Sequence, residues 1–130
     1  MQISWLPEPE DHPLWPDILR LLKPAAEIGI IDPYDPKDWV WIIYDGPILY
    51  GAATTRLWPG DEAELRLAGG TRFHEWMGLL DETVSDWARR GLAHKLTMRG
   101  RKGWARFAKR FGWVALGFDD QGRAMFEKEL

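Results

Sequence analysis

The sequence predicts one α+β domain, a mixed and mostly antiparallel sheet with helices packed on its faces. One observation is a stripe of apolar residues at helical spacing through residues 73–88, and another is the set of strand-like segments and turn signals on either side of it. The chain has 130 residues and 45% hydrophobic content. It is long enough to bury one core and too short for two ordinary domains, so we expect a single domain over residues 1–130.

The first elements are a short strand and a helix. Residues 2–6 have strand composition, and the loop that follows is rich in proline and acidic residues. Residues 14–28 carry apolar side chains at helical spacing, with Pro16 tolerated in the first turn. Pro24 is expected to end or kink this helix. A second loop, residues 32–38, follows.

Three consecutive antiparallel strands come next. Residues 39–44 and 48–58 are rich in β-formers, and Asp45-Gly46 between them is a strong two-residue turn signal. After the turn at residues 59–61, residues 62–68 alternate between charged and apolar side chains. The alternation predicts that Ala63, Leu65 and Leu67 point inward and that Glu62, Glu64 and Arg66 point outward.

A long amphipathic helix follows these strands. Gly69-Gly70 is expected to turn the chain sharply, with Thr71 as the N-cap. Arg89 and Arg90 lie in the last turn, where cations suit the helix dipole, and Gly91 is expected to end the helix. Its apolar stripe consists of Phe73, Trp76, Met77, Leu80, Val84, Trp87 and Ala88.

The pattern of the last part of the chain predicts a strand, a basic helix and a hairpin. Residues 95–99 alternate like a half-buried strand, and residues 114–118 and 124–130 flank a turn at residues 119–122. In the helix between them, Trp104, Phe107, Ala108 and Phe111 share one face, and Gly112 ends it.

Charge is unevenly distributed along the chain. The first 70 residues carry 5 Lys and Arg against 12 Asp and Glu, whereas the rest carry 12 against 8. A basic segment needs an anionic partner or water. The cations of the basic helix are Arg101, Lys102, Arg106, Lys109 and Arg110.

The chain contains no cysteine, which excludes disulfides, thiolate metal sites and cysteine nucleophiles. This composition fits a reducing compartment, so we expect the cytosol of a cell or of an infected cell. We expect neither a signal peptide nor a membrane span, because residues 1–11 have no basic region and no long apolar run.

The order strand, helix, three strands, helix, strand, helix, strand pair resembles the GNAT superfamily of acetyl-CoA-dependent N-acyltransferases. Residues 63–68 resemble the family's fourth strand, and residues 104–113 resemble its last helix and the turn after it. The resemblance covers roughly the last two thirds of the chain. A narrower resemblance, to small GNAT-like proteins of tailed phages and prophages, rests on Gly69-Gly70, Trp76, Trp87-Ala88, Gly91 and residues 100–104.

The resemblance implies an acetyl-CoA site after the fourth strand. Active members carry an Arg/Gln-x-x-Gly-x-Gly/Ala sequence there, whose backbone amides hold the CoA pyrophosphate. This chain departs from it, with one matching Gly, a Thr at the small-residue position and a short loop. The family's general acid, a Tyr, falls on Ala108, and the surviving candidate general base is Glu64. The residues implied in cofactor binding are Leu67, Ala68, Gly69, Gly70, Thr71 and Arg72.

Simpler interpretations compete with each of these roles. Glu64 also fits an outward-facing strand carboxylate, and residues 69–71 also fit a turn with a helix cap rather than an anion site on the amides of residues 71–73. The charges of the basic helix fit a solvent-exposed face as well as a nucleic-acid or CoA-phosphate site. The three histidines match no metal-ligand spacing, so no metal is expected.

Two hypotheses remain. In the first, acetyl-CoA lies between the fourth and fifth strands, the backbone near Leu67 and Ala68 polarises the thioester, and Glu64 helps to deprotonate an amine. In the second, the scaffold has lost its chemistry and serves as a binding or assembly protein of phage origin. An enzyme should show those strands splayed apart with free amides at residues 70–72. A binding protein should show that cleft shut or filled by side chains such as that of Trp104.

Overall fold

The computed structural model describes residues 1–29 and 31–130. Its strands form one sheet of seven in the order β1-β2-β3-β4-β5-β7-β6. The strands are β1 Gln2–Leu6, β2 Trp39–Asp45, β3 Ile48–Trp58, β4 Glu62–Gly70, β5 Lys95–Gly100, β6 Val114–Phe118 and β7 Ala124–Glu129. The helices are α1 Trp15–Gly29, α2 Phe73–Arg90 and α3 Ala105–Arg110, with 3-10 turns at Pro9–Asp11 and Lys102–Trp104.

Two antiparallel groups of strands make up the sheet. β2 to β4 form the predicted series of three antiparallel strands, β1 pairs with β2 at its edge, and β5, β7 and β6 form the second group. A short parallel ladder joins the groups, from Glu62 opposite Lys95 to Leu65 opposite Met98. Parallel neighbours need a long crossover connection, which α2 supplies here. The predicted mixed, mostly antiparallel α+β architecture is therefore confirmed.

The sheet is buried on both sides at β2, β3 and β4, whereas β6 at its edge is exposed. The α2 face packs residues of β2, β3, β4, β5 and β7 against α2 in the larger core, in which Trp76, Leu96 and the other central side chains are fully buried. The α1 face packs residues of β2, β3 and β4 against Ile18, Leu22 and Ala26 of α1. Each helix thus buries its apolar stripe on its own side of the sheet.

A β-bulge in β4 changes the predicted facing of one residue. Thr54 lies opposite Leu67 and Thr55 lies opposite Leu65, so Arg66 is the extra residue. Ala63 and Leu65 point into the α2 face as predicted, but Leu67 packs on the α1 face. The prediction that all three share one face was wrong, because one extra residue shifts the alternation.

Gly69 and Gly70 belong to β4 and do not form the predicted turn. A Cβ on Gly69 would lie 2.1 Å from the Leu21 carbonyl oxygen, so glycine here lets α1 cross directly over the strand. Gly70 has φ of +147°, a conformation that residues with a side chain rarely adopt. The N-cap of α2 is Arg72 in the left-handed conformation, without a side-chain cap, so the assignment of Thr71 was also wrong.

α1 has the predicted extent, Trp15–Gly29 against residues 14–28, but the basic helix does not. Pro24 does not end α1, since packing on the sheet compensates for the one backbone bond that proline removes. The basic helix is shorter than expected, a 3-10 turn followed by the six residues of α3. Within the described residues, none of the helices combines the length and the apolar composition that crossing a bilayer requires.

Candidate functional site

The fourth and fifth strands separate at their carboxyl ends. Their parallel pairing stops at Leu65 opposite Met98, while β4 continues to Gly70 and β5 to Gly100. A cavity of about 330 Å³ lies in the resulting gap, between the two strands and α1. The splay predicted for an enzyme is present. The cavity is lined by Leu21, Pro24, Ala25, Ile28, Leu65, Arg66, Leu67, Ala68, Gly69, Gly70, Phe73, Arg99, Gly100, Arg101, Trp104 and Arg123.

Ala68 presents its backbone to this gap. The Thr71 amide donates to the Tyr50 carbonyl at 2.8 Å, which makes these two residues a hydrogen-bonded pair of β3 and β4. Such pairs alternate along an antiparallel ladder, and the register is unbroken from Gly70 back to Leu67. The Leu67 N–H therefore points to β3, whereas the Ala68 N–H and C=O point to the side that β5 has left. Of the two residues expected to polarise a thioester, Ala68 has the amide in place.

The start of α2 offers less to an anion than the sequence suggested. Because the Thr71 amide is bonded to Tyr50, it is not free. Arg72 pairs with Glu75 through two nitrogens, one at 2.8 Å. The hydrogen bond from Arg72 is the main cause that lowers the pKa of Glu75, although partial desolvation opposes it. A carboxylate thus already lies in the first turn of the helix, where a phosphate would bind.

Two aromatic side chains span the gap on the α2 face. The rings of Phe73, which begins α2, and Trp104, which follows β5, lie 5.1 Å apart between centroids. Trp104 also packs on Gly100, with ring atoms 3.3 Å from the position of a Cβ there. Trp104 therefore bridges the gap on the α2 face, and α1 lines it on the other face. The splayed strands are the feature expected of an enzyme, and the position of Trp104 is the feature expected of a binding protein.

Guanidinium groups dominate the polar lining of the cavity. Arg66 Nη1 donates to Asp38 Oδ2 at 2.6 Å, and the fully buried Asp38 carboxylate also accepts from Arg56 at 2.6 Å. Arg123 Nε donates to Asp119 Oδ2 at 2.8 Å, and Arg99 Nη1 lies 3.6 Å from the same oxygen. Arg99 and Arg101 line the cavity as well. Among the described residues, the lining includes no carboxylate, histidine, tyrosine, serine or threonine side chain.

Glu64 lies on β4 just outside this lining. Its Oε1 accepts from the Trp58 indole at 2.9 Å, and Arg66 Nε lies 3.8 Å from the same oxygen. At the position of the family's general acid, Ala108 of α3 is 2% exposed and packs in the core. A methyl group there has no proton to give, as the sequence implied.

The other predicted site groups lie away from the gap or do not assemble. Arg106, Lys109 and Arg110 are exposed on α3, while Trp104, Phe107, Ala108 and Phe111 share its inner side as predicted. In the part of the chain that the structure describes, no three His, Asp or Glu side chains are arranged to hold a metal ion.

Sequence reasoning missed the two arginines that reach the cavity from the second strand group, Arg99 and Arg123. Arg123 was visible as a cation directly after the turn that contains Asp119, and Arg99 as the first cation of the basic segment. Nothing local indicates that the two meet near the end of α1. The Nη1 atom of Arg123 lies 2.6 Å from the position of a Cβ on Gly29, so the contact depends on the fold.

Comparisons with known proteins place this geometry among acetyltransferases of known structure. No family model matches the chain, and no curated protein sequence matches it. A GNAT family acetyltransferase from Elizabethkingia anophelis with acetyl-CoA bound superposes with a TM-score of 0.77 at 15% identity, covering 99% of this chain and 97% of that one. A Bacillus subtilis acetyltransferase in complex with CoA gives 0.75 at 12% identity, covering 99% and 98%.

An acetyltransferase from Thermus thermophilus gives a TM-score of 0.68 at 19% identity, covering 100% of this chain and 98% of that one. The likeness spans whole chains in each case, but identities this low establish the fold alone. The chain therefore has the GNAT fold.

Proposed function

We propose that this protein is an acetyl-CoA-dependent N-acyltransferase whose thioester lies in the gap between β4 and β5. The observation that supports this most directly is the unpaired Ala68 amide at the edge of β4, next to a cavity of about 330 Å³. A backbone N–H fixed in a strand can polarise a carbonyl oxygen without reorganisation. Some of the solved structures with this fold hold acetyl-CoA or CoA.

The residues fit the acyl end of acetyl-CoA better than its pyrophosphate. The gap supplies apolar walls and the Ala68 amide, whereas the start of α2 has a bonded Thr71 amide and the Glu75 carboxylate. Of the implied set, Leu67 and Gly69 contribute packing, Gly70 allows the close approach of β3, and Arg72 supplies a cation near the helix start. We expect affinity for CoA to come mainly from the acyl and pantetheine part.

The reaction requires a free amine to attack the thioester carbon, so that a C–N bond forms and the C–S bond breaks. The amine loses a proton and the CoA sulfur gains one. Because none of the described lining side chains accepts a proton at neutral pH, we assign the general base to Glu64 acting through water. Its place on β4, two residues before Arg66, makes it the carboxylate of that strand nearest the gap in sequence.

The first test is calorimetric titration with acetyl-CoA, followed by an assay of thiol release with amine substrates. Since the chain has no cysteine, every thiol that appears belongs to CoA. Replacing Ala68 by lactic acid exchanges its N–H for an ester oxygen and keeps its side chain, and we expect acetyl-CoA to bind about three- to tenfold more weakly. The matched control is glycolic acid at Gly69, which removes an amide that faces β3 and should reduce stability but not affinity.

Absence of binding by the unmodified protein at millimolar acetyl-CoA would contradict the proposal. Binding without acetyl transfer to any amine would instead favour the second candidate, a non-catalytic binding or assembly protein. The lack of a proton-accepting side chain in the described lining is the observation that favours this candidate. A phage origin, a cytoplasmic or virion location, and protein or nucleic-acid partners of the basic helix all stay proposals.

Substitution of Gly70 by proline, which also removes one backbone amide, is unsuitable as a probe of the site. A Cβ at Gly70 would lie 2.2 Å from the Tyr50 carbonyl oxygen, and proline cannot adopt its φ of +147°. Loss of binding in that variant would report damage to β4 and not the loss of one amide.

A further inference from the structure

Three of the cavity arginines lie on the α1 face of the sheet. Met98 packs on the α2 face, and side chains alternate along a strand, so Arg99 lies on the α1 face. Arg123 reaches the same face, where it lies against Gly29 at the end of α1. Arg66 also belongs there, because it is bonded to Asp38, which lies two residues before Val40 of the α1-face core.

Arg66 and Arg123 are each hydrogen-bonded to an acid through only part of their donor sets, and Arg99 lies within ion-pair distance of Asp119. Arg123 uses its Nε for Asp119, and the two arginines at this end of the sheet share that single carboxylate. Asp119 is itself held by the backbone amides of Gln121 and Arg123, at 3.0 and 2.8 Å. The arginines are thus oriented, yet one positive charge of the pair has no counterpart in Asp119.

The same side of the cavity has an apolar wall. Leu21, Pro24, Ala25 and Ile28 of α1 line it together with the arginines. A ligand that fits this wall and this charge has a hydrocarbon part and an anionic group. A planar guanidinium recognises a carboxylate especially well, because two parallel N–H donors match its two oxygens.

The phosphates of CoA explain the position of these arginines less well than a carboxylate on the α1 face does. A pyrophosphate at the start of α2 would lie next to Phe73, on the α2 face, where Phe73 and Trp104 close the gap. Arg99 and Arg123 lie on the opposite side of the sheet. Their charge therefore faces the side of the gap that such a pyrophosphate would leave open.

We propose that the acyl acceptor, given the function proposed above, is an amine that carries a carboxylate, held by Arg99 and Arg123 with its hydrocarbon part on the α1 wall. An apolar amino acid is the simplest molecule of this class. The amine then reaches the gap while the carboxylate stays at the end of β5 and β7, so the arginines select the acceptor without touching the reacting carbonyl.

The binding test compares isovalerate with its neutral isostere isovaleramide, by following the Trp104 indole and Ala68 amide signals in NMR titrations. We expect isovalerate to bind at least about tenfold more tightly, as one charge-assisted pair implies. Arg99→Gln and Arg123→Gln should each reduce this preference by about tenfold, and Arg99→Lys should keep part of it. The affinity for isovaleramide should be the same in all of these variants. Arg89→Gln, on the exposed end of α2, is the matched control.

The activity test compares acetyl transfer to L-leucine and to isoamylamine, which lacks the carboxylate. We expect the kcat/KM for leucine to be higher, and the arginine variants to remove that advantage mainly through KM. Thermal unfolding of each variant checks that the fold is intact.

Equal binding of isovalerate and isovaleramide, or no shift with either at tens of millimolar, would overturn the proposal. So would loss of acetyl-CoA binding in Arg99→Gln or Arg123→Gln, because the arginines would then be holding CoA phosphate. A third outcome is arginine-dependent binding of isovalerate by a protein that does not bind acetyl-CoA. It would refute the acyltransferase function, and with it the acceptor role, but would leave a carboxylate site. Failure of the proposed function can thus be distinguished from failure of the carboxylate site.

Discussion

The two faces of the sheet differ in what they bury. The α2 face has the larger core, which is mainly apolar, with aromatic rings such as Trp41, Trp76 and Trp87 packed from β2 to α2. Its Asp81–Lys128 ion pair lies on the β7 side, with the two charged atoms 2.9 Å apart. The α1 face has a smaller apolar core and, beside it, the buried Asp38 carboxylate with its two arginines. Burial of apolar surface stabilises a fold, whereas burial of charge costs free energy unless it is paired. We infer that the α2 face supplies most of the apolar stabilisation, whereas the α1 face holds both a buried, paired carboxylate that stabilises the fold and the arginines proposed to bind a ligand.

The largest expected effect tests the α2 face. Trp76 is fully buried, packs on Gly51 and donates its indole N–H to the Thr71 carbonyl at 2.8 Å. Trp76→Ala should lower the free energy of unfolding by about 3–5 kcal/mol, measured by urea denaturation. The control Leu116→Ala removes an apolar side chain that is 50% exposed and should cost about 0.5 kcal/mol or less. Similar losses in both variants would contradict the assigned role of this face.

A second effect tests the paired charges of the α1 face. Asp38→Asn keeps the shape of the side chain but leaves Arg56 and Arg66, which are only 11% and 14% exposed, without their shared carboxylate. The free energy of unfolding should fall by about 3 kcal/mol. The same change at Asp17, whose partner Arg20 is 75% exposed, should cost about 0.5 kcal/mol or less. An Asp38→Asn protein as stable as the parent would show that the buried pair is not structural.

The smallest expected effect concerns Asp119 and pH. Partial burial alone would raise the pKa of Asp119, but hydrogen bonds from the Arg123 amide, the Arg123 guanidinium and the Gln121 amide hold that pKa below its ordinary value. A depressed pKa in the folded state means that the carboxylate stabilises the fold above its unfolded-state pKa of about 3.9. This contribution is lost as the pH falls through the folded-state pKa.

The measurement is urea unfolding of the parent and of Asp119→Asn from neutral to acidic pH. We expect the variant to be less stable at neutral pH and the difference to shrink as Asp119 becomes protonated. A difference that stays constant over the whole pH range would show that the charge of Asp119 is not what stabilises this turn.

Local pattern was sufficient for most of the fold. The apolar stripe predicted α2 from Phe73 to its end at Gly91, and the Asp45-Gly46 turn placed β2 and β3 correctly. These features depend on residues that are close in sequence. The parallel pairing of β4 with β5 followed only from the resemblance of the element order to a known fold.

The errors came from contacts between distant parts of the chain. Gly69-Gly70 looks like a turn, but the glycines are needed because Leu21 of α1 and Tyr50 of β3 approach β4 so closely. The bulge at Arg66 has no signal in the alternation of residues 62–68. The candidate site was predicted as a stretch of chain, whereas its charged part is assembled from β4, β5 and the turn before β7.

The short ladder between β4 and β5 also has a mechanical consequence. Four residue pairs from Glu62 opposite Lys95 to Leu65 opposite Met98 join two separately laddered groups of strands, and past them the gap is crossed by side chains such as Phe73 and Trp104. The sheet therefore has a seam at which, under load, it should part more readily than at the longer β3–β4 and β5–β7 ladders that flank it. A molecule lodged in the gap would carry part of that load, so the force needed to open the seam should report occupancy of the gap whatever the chemistry of its occupant.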